Sequence, residues 1–266
     1  MKDISGKIGN FTQEKNNMKE RFFLPANNVN GITDDDYRRV RNYIHALNSL
    51  SQIAYGSIYV IDFFRKRFLY VSSNPLLLCG HTPEEILEMG ADFYLRHIPQ
   101  EELEYILNVA ERLHRFLINC PKDERTLFSI SYDVHLVNNG DRILINHRLA
   151  PLELDREGNI WLGVCYLSLS NNDVMGNFEI RRKGQSEYWR YDNNLDRWTA
   201  MPGIRLTKGE KEVLFMSARG MTIDEIAKNV CRSTDTIKSR RKAIFDKLNV
   251  RNMNEAITFA TNYKLI

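Results

Sequence analysis

Residues 204–266 read IRLTKGEKEVLFMSARGMTIDEIAKNVCRSTDTIKSRRKAIFDKLNVRNMNEAITFATNYKLI and contain four short helical patterns in succession. The first two patterns each begin with a threonine followed three residues later by a glutamate, Thr207 with Glu210 and Thr222 with Glu225. That spacing is typical of a capping box, in which each side chain satisfies a free backbone N–H at the helix start. The segment is therefore predicted to fold as a bundle of four helices.

The third helical pattern is the most basic part of this segment. Three apolar residues, Ile237, Ile244 and Leu248, recur at helical spacing and form a narrow stripe for a core. The cations around that stripe are Lys238, Arg240, Arg241, Lys242 and Lys247. Such a helix suits the major groove of DNA, where lysine and arginine meet phosphates and guanine edges. Two helices joined by a turn, the second of them basic, predict a helix-turn-helix motif, although a charged helix can also be a solvated surface.

Positive charge is concentrated in this segment. From Arg205 onward there are 13 Lys/Arg and 7 Asp/Glu, a net charge of about +6, whereas the whole chain is +3. The residues before the segment are therefore slightly acidic. A basic module on a slightly acidic body is expected when one domain binds a polyanion and the other does not.

The segment resembles, from end to end, the LuxR-type helix-turn-helix family of bacterial transcription regulators. The matching positions are Leu206, Thr207, Glu210, Glu212, Val213, Leu214, Glu225, Ile226, Ala227, Ser233, Thr236, Ile237, Lys238, Lys247, Leu248 and Val250. The resemblance implies a transcription regulator that binds double-stranded DNA as a homodimer. It also implies that Lys238, Ser239 and Lys242 face the groove and that the last helix, about Met253 to Tyr263, pairs two subunits. The apolar residues of that last helix could equally be ordinary core.

The candidate DNA-binding residues belong to the third helix. They are Thr234, Thr236, Lys238, Ser239, Arg240, Arg241 and Lys242. The family often has histidine where this chain has Arg240 and an aliphatic residue where it has Arg241. These departures leave the base preference open and strengthen the attraction to phosphate. The family's glycine after this helix is Asn249 here, and asparagine tolerates the left-handed conformation, so a helix end is still expected.

Length and composition predict a further domain and a cytoplasmic protein. A chain of 266 residues is typical of about two domains, and the segment occupies only the last quarter. No apolar run approaches the roughly 20 residues that span a bilayer, and the polar N-terminus has no signal-peptide core. The four cysteines include no Cys-x-x-Cys pair, which argues against a disulfide framework or a thiolate zinc site. We expect no membrane association and a reducing, cytoplasmic environment.

The preceding body has a definite order of predicted elements. Residues 1–32 are polar and rich in asparagine and are expected to be weakly ordered, and an amphipathic helix follows at 33–51. The remaining elements are two strands (57–63 and 68–72), short helices (75–79, 83–89 and 93–97), a longer helix (101–117) and three strands (128–136, 142–154 and 160–170). The last three strands show the alternation or the continuous apolar run that antiparallel sheets favour.

This order resembles a PAS sensor domain over roughly residues 40–170. The short features that agree are Asp62, Tyr70, Val71, Asn74, Gly80, Pro83, Glu84, Glu85, His97, Pro99 and Glu101. The resemblance implies an α+β protein, with a PAS-like five-stranded antiparallel sheet and small helices followed by an all-α four-helix helix-turn-helix domain. The predicted domains are a PAS-like sensor with its leading helix at 33–170, an aromatic hairpin or linker at 171–203, and the helix-turn-helix domain at 204–266.

A PAS-like fold implies a ligand pocket between the sheet and the small helices. The candidate lining residues are Tyr132, Val134, His147, and Tyr166 or Trp161, depending on the strand register. His147 shares a strand face with apolar residues, and a buried histidine with a backbone hydrogen bond is the competing interpretation. His97 and His114 have no spaced partner, so no metal site is predicted. Cys120 lacks the sequence context of a flavin photoreceptor, and the cofactor is unknown, with none expected to be tightly bound.

The linker contains aromatic strands that flank Lys183-Gly184, a plausible hairpin turn. This hairpin could cover a sheet edge or pack against the helix-turn-helix domain.

No catalytic constellation is visible, since the chain contains neither a phosphate-binding glycine loop nor a nucleophile elbow nor a metalloprotease helix. We therefore predict a non-enzyme, a PAS-coupled transcription regulator that acts as a homodimer on double-stranded DNA. Two alternatives remain. The body could be a protein-interaction module that binds a partner protein without a small-molecule ligand, or the chain could be a sigma-factor-like promoter-binding subunit, which would need an additional helical domain.

Overall fold

The computed structural model describes residues 13, 16–263 and 265–266. The chain divides into two compact units. The first ends at Lys183 and resumes over Trp189–Thr199, and the second comprises Gly184–Tyr188 and Ala200–Ile266. Within the described part of the chain, none of the helices combines the length and the apolar character that a membrane crossing needs.

The first unit is built on an antiparallel sheet. Its helices are α1 (Asp34–Ser51), α2 (Pro75–Leu78), α3 (Pro83–Met89), α4 (Asp92–His97) and α5 (Gln100–Ile118), with a 3-10 turn at Lys122–Leu127. The strands are β1 (Ser57–Asp62), β2 (Arg67–Val71), β3 (Phe128–Asn138), β4 (Asp141–Leu154), β5 (Ile160–Leu169), β6 (Gly176–Arg182), β7 (Tyr188–Asp192) and β8 (Arg197–Met201). The strand order is β2-β1-β5-β4-β3-β6-β7-β8. The α+β class and the order of elements predicted from the sequence are confirmed.

The predicted strand count is wrong, because the sheet has eight strands instead of five. Strands β1 to β5 form the expected five-stranded part. The predicted hairpin supplies β6 and β7, with Gly184 in the left-handed conformation at the turn, and β6 pairs with the free edge of β3. The sequence analysis missed β8, an edge strand without a buried residue, because a strand that buries neither face fully shows no clear apolar alternation. Residues 176–201 therefore extend the sheet, which is one of the two roles considered for the hairpin.

The N-terminal segment is ordered where the structure describes it. Phe23 and Leu24 are buried in the main core of the first unit. The side chain of Asn27 exchanges two hydrogen bonds with the backbone of Ile160, donating from Nδ2 to the carbonyl at 2.8 Å and accepting from the N–H at 2.9 Å. The expectation of weak order is wrong for residues 16–32, because specific hydrogen bonds anchor a polar sequence that composition alone marks as unstructured. Residues 1–12, 14 and 15 lie outside the described residues.

Both faces of the sheet are covered in the first unit. The small helices and α5 enclose the main core on one face. The helix α1 covers the other face, where Val40 packs in a cluster with Ile58, Val60 and Leu162. This helix begins at a capping box formed by Thr33 and Asp36. Two layers of helix around one sheet give the unit two apolar clusters, one on each face.

The second unit is the predicted four-helix bundle. Its helices are α6 (Lys208–Ala218), α7 (Ile223–Asn229), α8 (Thr234–Leu248) and α9 (Met253–Asn262). The predicted capping boxes at the starts of α6 and α7 are present. Asn249 ends α8 in the left-handed conformation, with φ of 52°, as its replacement of the family's glycine predicted. Ala256 and Ala260 of α9 are fully buried, so one face of the last helix belongs to the core of its own unit.

Candidate functional site

The third helix of the second unit, α8, presents its cations unequally. Ile237, Ile244 and Leu248 are buried, as the stripe predicted. Lys238, Ser239 and Lys242 are exposed, and they lie on the side of the helix away from that stripe. Lys238 approaches Asp235 one turn earlier, Nζ to Oδ1 at 3.4 Å, but both side chains are largely exposed and the pair is weak. These three side chains form the exposed polar face of α8.

The two arginines of α8 are half-buried beside its apolar stripe. The guanidinium of Arg240 lies over Gly209 in the first turn of α6, so closely that a Cβ at Gly209 would be 2.5 Å from Arg240 Cζ. Arg240 Nη1 is buried and has no hydrogen-bond partner within the described part of the chain. The guanidinium of Arg241 lies 6.0 Å from the ring centroid of Phe245. Arg240 therefore braces α8 against α6.

The two threonines of the predicted set are also half-buried, at the start of α8. The backbone N–H of Thr236 donates to Ser233 Oγ at 3.2 Å, which is the N-cap of the helix. Thr234 and Thr236 thus belong to the helix start, where backbone N–H groups and short polar side chains favour contact with a phosphate.

Lys247, the last cation of α8, pairs with a buried carboxylate. Its Nζ lies 2.8 Å from both carboxylate oxygens of Glu210. One of those oxygens also accepts the backbone N–H of Thr207 at 2.7 Å, so Glu210 serves the capping box and the ion pair together. This shared carboxylate ties the start of α6 to the end of α8. Lys247 is consequently held as a structural cation, and no local pattern predicts its pairing with a residue 37 positions away.

The Glu210 contacts make the stability of the second unit depend on pH. Burial by itself raises the pKa of Glu210, but Lys247 and the N–H of Thr207 outweigh it and hold the pKa below the ordinary value of 4.5. A carboxyl whose pKa is lower in the folded state stabilises the fold above its unfolded pKa, and that contribution is lost as pH falls through the folded pKa. We therefore expect the midpoint of thermal unfolding of residues 200–266 to fall as the pH drops below about 4.5.

Glu210→Gln should lower stability at neutral pH and flatten this acid dependence, because glutamine can still cap the helix but cannot pair with an ammonium group. Circular dichroism melts between neutral pH and about pH 3 measure both effects. Glu225→Gln is the matched control, since Glu225 occupies the same capping position in α7 and is exposed. If the two variants melt alike at every pH, the pairing with Lys247 does not stabilise the unit.

The first unit contains an enclosed cavity of about 70 Å³ between the sheet and α5. Its walls are mostly apolar. The lining residues are Phe22, Leu24, Tyr59, Ile61, Phe63, Ile106, Leu107, Ala110, Leu113, His114, Leu117, Ile130, Tyr132, His147, Leu149, Ile160 and Phe178. One water needs roughly 10–15 Å³ of such volume, so the cavity has room for about five water-sized groups.

A chain of buried hydroxyl groups leads to the imidazole of His147. The hydroxyl of Tyr94 donates to that of Tyr59, and the Tyr59 hydroxyl lies 2.5 Å from His147 Nε2. Burial lowers the pKa of His147 to about 3, so the ring is neutral at physiological pH. Within the described residues Nδ1 has no hydrogen-bond partner, so the backbone hydrogen bond considered for this histidine is not found.

A second buried imidazole, His114 of α5, lines the same cavity. Neither of its ring nitrogens has a hydrogen-bond partner among the described residues. Burial, with a smaller contribution from Arg125, lowers the pKa of His114. Two neutral imidazoles thus join Tyr59 and Tyr132 as the polar residues that line a mostly apolar cavity.

The predicted pocket residues divide between the two faces of the sheet. Tyr132 and His147 line the cavity, with ring centroids 4.6 Å apart. Val134 is buried in the same core but does not reach the cavity. Trp161 and Tyr166 belong to the cluster beneath α1 on the opposite face, which corrects the prediction for both. A register shift between β4 and β5 near Trp161 turns that residue to the other face, and alternation along the sequence does not reveal such a bulge.

The exposed basic helix, its buried stripe and its three supporting helices define a helix-turn-helix DNA-binding domain. Residues 205–260 match the family of bacterial regulatory proteins called the luxR family. The C-terminal part of this chain is therefore a LuxR-type helix-turn-helix domain, and the family predicted for it is confirmed.

The comparison with solved structures found matches to VqmA and SdiA proteins. A phage VqmA–DPO complex is 18% identical, with 89% of this chain and 93% of that chain covered and a TM-score of 0.32. The Vibrio cholerae VqmA dimer is 16% identical, with 83% and 88% covered and a TM-score of 0.32. Escherichia coli SdiA is 16% identical, with 96% and 98% covered and a TM-score of 0.27. With TM-scores this low, the likenesses do not by themselves establish a shared fold. The search of curated proteins found no match.

Proposed function

We propose that this protein is a transcription regulator that binds double-stranded DNA through α8. The observation that carries the proposal is the exposed face of Lys238, Ser239 and Lys242, opposite a buried stripe, in a segment that matches a family of DNA-binding regulators. Residues 200–266 should bind duplex DNA with an affinity that falls steeply with salt, because bound lysines release counterions from the phosphates. Failure of the full-length chain to bind any genomic fragment, or an affinity independent of salt, would contradict the proposal.

The first unit acts as a sensor of a small molecule in the cavity beside α5. The cavity volume and its apolar walls favour a compact, mostly apolar ligand with a polar group placed to hydrogen-bond with Nδ1 of His147. A buried ring nitrogen without a hydrogen-bond partner is costly, so a ligand that satisfies it gains affinity and specificity together. Tyr132 stacks on Phe178, with ring centroids 4.8 Å apart, and supplies a flat wall.

Native mass spectrometry of the protein purified from its own host tests this role. We expect a bound small molecule in the parent chain and its loss in Ala110→Phe, because the larger side chain fills the cavity that Ala110 lines. Ala218→Phe, at an exposed position of the second unit, is the matched control and should keep the ligand. A parent mass equal to that of the bare chain would favour the alternative in which the first unit binds a partner protein.

Two copies pair through the end of α1 and the turn that follows it. Ile53 and Tyr55 have 76% and 99% of their surface exposed, and Leu50 beside them is also exposed. A fully buried side chain of this kind contributes about 1.5–3 kcal/mol. The double variant Ile53→Ser/Tyr55→Ser should therefore weaken the dimer at least about tenfold, since each 1.4 kcal/mol corresponds to a factor of ten.

Sedimentation equilibrium of the full-length chain measures this dimer constant. Leu195→Ser is the control, because Leu195 is an exposed apolar residue in the turn between β7 and β8. An unchanged dimer constant in the double variant would place the pairing elsewhere, with α9 as the next surface to test.

Ligand binding and DNA binding are coupled only if the ligand has different affinities for the arrangements of the protein that do and do not bind DNA. The coupling free energy between two such sites is typically about 1–3 kcal/mol. The sigma-factor alternative requires a helical body, and the eight-stranded sheet of the first unit supports the sensor assignment instead.

A further inference from the structure

Two histidines outside the cavity face each other among the small helices of the first unit. His81 lies in the turn between α2 and α3, and His97 is the last residue of α4. Their Nε2 atoms are 3.0 Å apart, and the ring planes are inclined at 76°. Both side chains are half-buried, so the pair is accessible to ions from solvent.

The second ring nitrogen of each histidine is directed at an oxygen that can only accept a hydrogen bond. His97 Nδ1 lies 2.8 Å from the carbonyl oxygen of Val137, and His81 Nδ1 lies 3.6 Å from a carboxylate oxygen of Glu85. The carbonyl holds the hydrogen of His97 on Nδ1, which leaves a lone pair on His97 Nε2. In the neutral pair that lone pair accepts a hydrogen bond from Nε2–H of His81 at 3.0 Å. A divalent cation can take the place of this hydrogen when the proton of His81 moves to Nδ1, which lies beside the carboxylate of Glu85.

This arrangement has the features of metal-binding histidines. Such residues point one nitrogen at the metal and donate the other N–H to a carbonyl or carboxylate, which fixes the tautomer and the orientation of the ring. Tetrahedral zinc with Zn–N bonds of about 2.0–2.1 Å holds two ligand nitrogens about 3.3 Å apart. The observed pair would need to open by only a few tenths of an ångström.

We propose that His81 and His97 form a two-histidine site for a divalent transition metal of the zinc type, for which imidazole nitrogen is a preferred ligand. Among the described residues no cluster of three or more His, Cys, Asp or Glu side chains is placed to hold a metal, so water completes the coordination and the metal exchanges readily. Cys79, two residues before His81, does not supply a thiolate, because burial raises its pKa to about 11.

The test is a zinc titration of the chelator-treated, full-length protein by isothermal calorimetry. We expect one zinc ion per chain. His81→Gln and His97→Gln should each weaken zinc binding at least about tenfold, because even the loss of a residue that hydrogen-bonds to a metal ligand lowers metal affinity by about that factor. His45→Gln is the matched control, because His45 is exposed on α1 and should leave the affinity unchanged. Zinc should also raise the thermal midpoint of the parent and of His45→Gln but not that of the paired-histidine variants.

Circular dichroism without metal establishes whether each variant is folded. If one single variant does not fold, the zinc affinity of the parent chain still decides the question. A parent chain that binds zinc no more tightly than the double variant His81→Gln/His97→Gln would overturn the proposal. The two rings would then be joined only by the hydrogen bond between their Nε2 atoms.

Discussion

Lys238→Ala and Lys242→Ala should each weaken the binding of the full-length chain to its DNA, by about 1–3 kcal/mol where the lysine contacts a base. Both lysines lie on the exposed face of α8, away from the buried stripe, so their removal should leave the thermal unfolding curve almost unchanged. Fluorescence anisotropy over a series of salt concentrations measures affinity and salt slope together. If a lysine contacts only phosphate, its replacement by alanine should lower the affinity for all DNA sequences alike. It should also reduce the slope of log affinity against log salt concentration by about one.

Lys211→Ala is the matched control for these variants, because it removes the same charge from an exposed position on α6. Lys247→Ala serves a different purpose. It should lower stability by leaving the carboxylate of Glu210 without its cation. If Lys238→Ala and Lys242→Ala bind as tightly as Lys211→Ala, the exposed face of α8 is not the surface that contacts DNA.

Ile244→Ala should destabilise the second unit by about 2–5 kcal/mol, because it removes a fully buried side chain and leaves a cavity. Chemical denaturation of residues 200–266, followed by the helical circular dichroism signal, gives this free energy of unfolding. Phe215→Ala is the comparison within the same unit. Phe215 is a larger side chain but is 59% exposed on α6, and its loss should change stability by less than about 0.5 kcal/mol. Equal stability of the two variants would mean that the stripe of α8 is not the core of this unit.

Features that depend on neighbours in the sequence could be predicted well. The capping boxes of α6 and α7 need only two residues three positions apart, and both are present. The end of α8 at Asn249 follows from the conformation that a single residue tolerates. The strands β3 to β5 follow from alternation or from continuous apolar runs, because one or both faces of each strand are buried.

Features that depend on distant residues could not be predicted. Asn27 is anchored by the backbone of Ile160, more than a hundred positions away, and composition cannot indicate such a bond. The bulge near Trp161 changes which face of the sheet that residue joins. Arg240 and Lys242 look equivalent in the sequence, but only Arg240 meets the bare backbone of Gly209 across the bundle. The cavity is composed of residues from the N-terminal segment, five strands and one helix, so Tyr59, His114 and Phe178 carried no local signal.

The pairing of β6 with β3 has a consequence for the solubility of the protein. Without it, the sheet would end at an eleven-residue strand with a long row of unpaired N–H and C=O groups. Such an edge is a template for aggregation by strand addition. With β6, β7 and β8 in place, the two outermost strands of the sheet are β2 and β8, each of five residues and each beginning with an arginine. Short edges that begin with a charge resist edge-to-edge association, so β6, β7 and β8 also protect the sheet against self-assembly into fibrils.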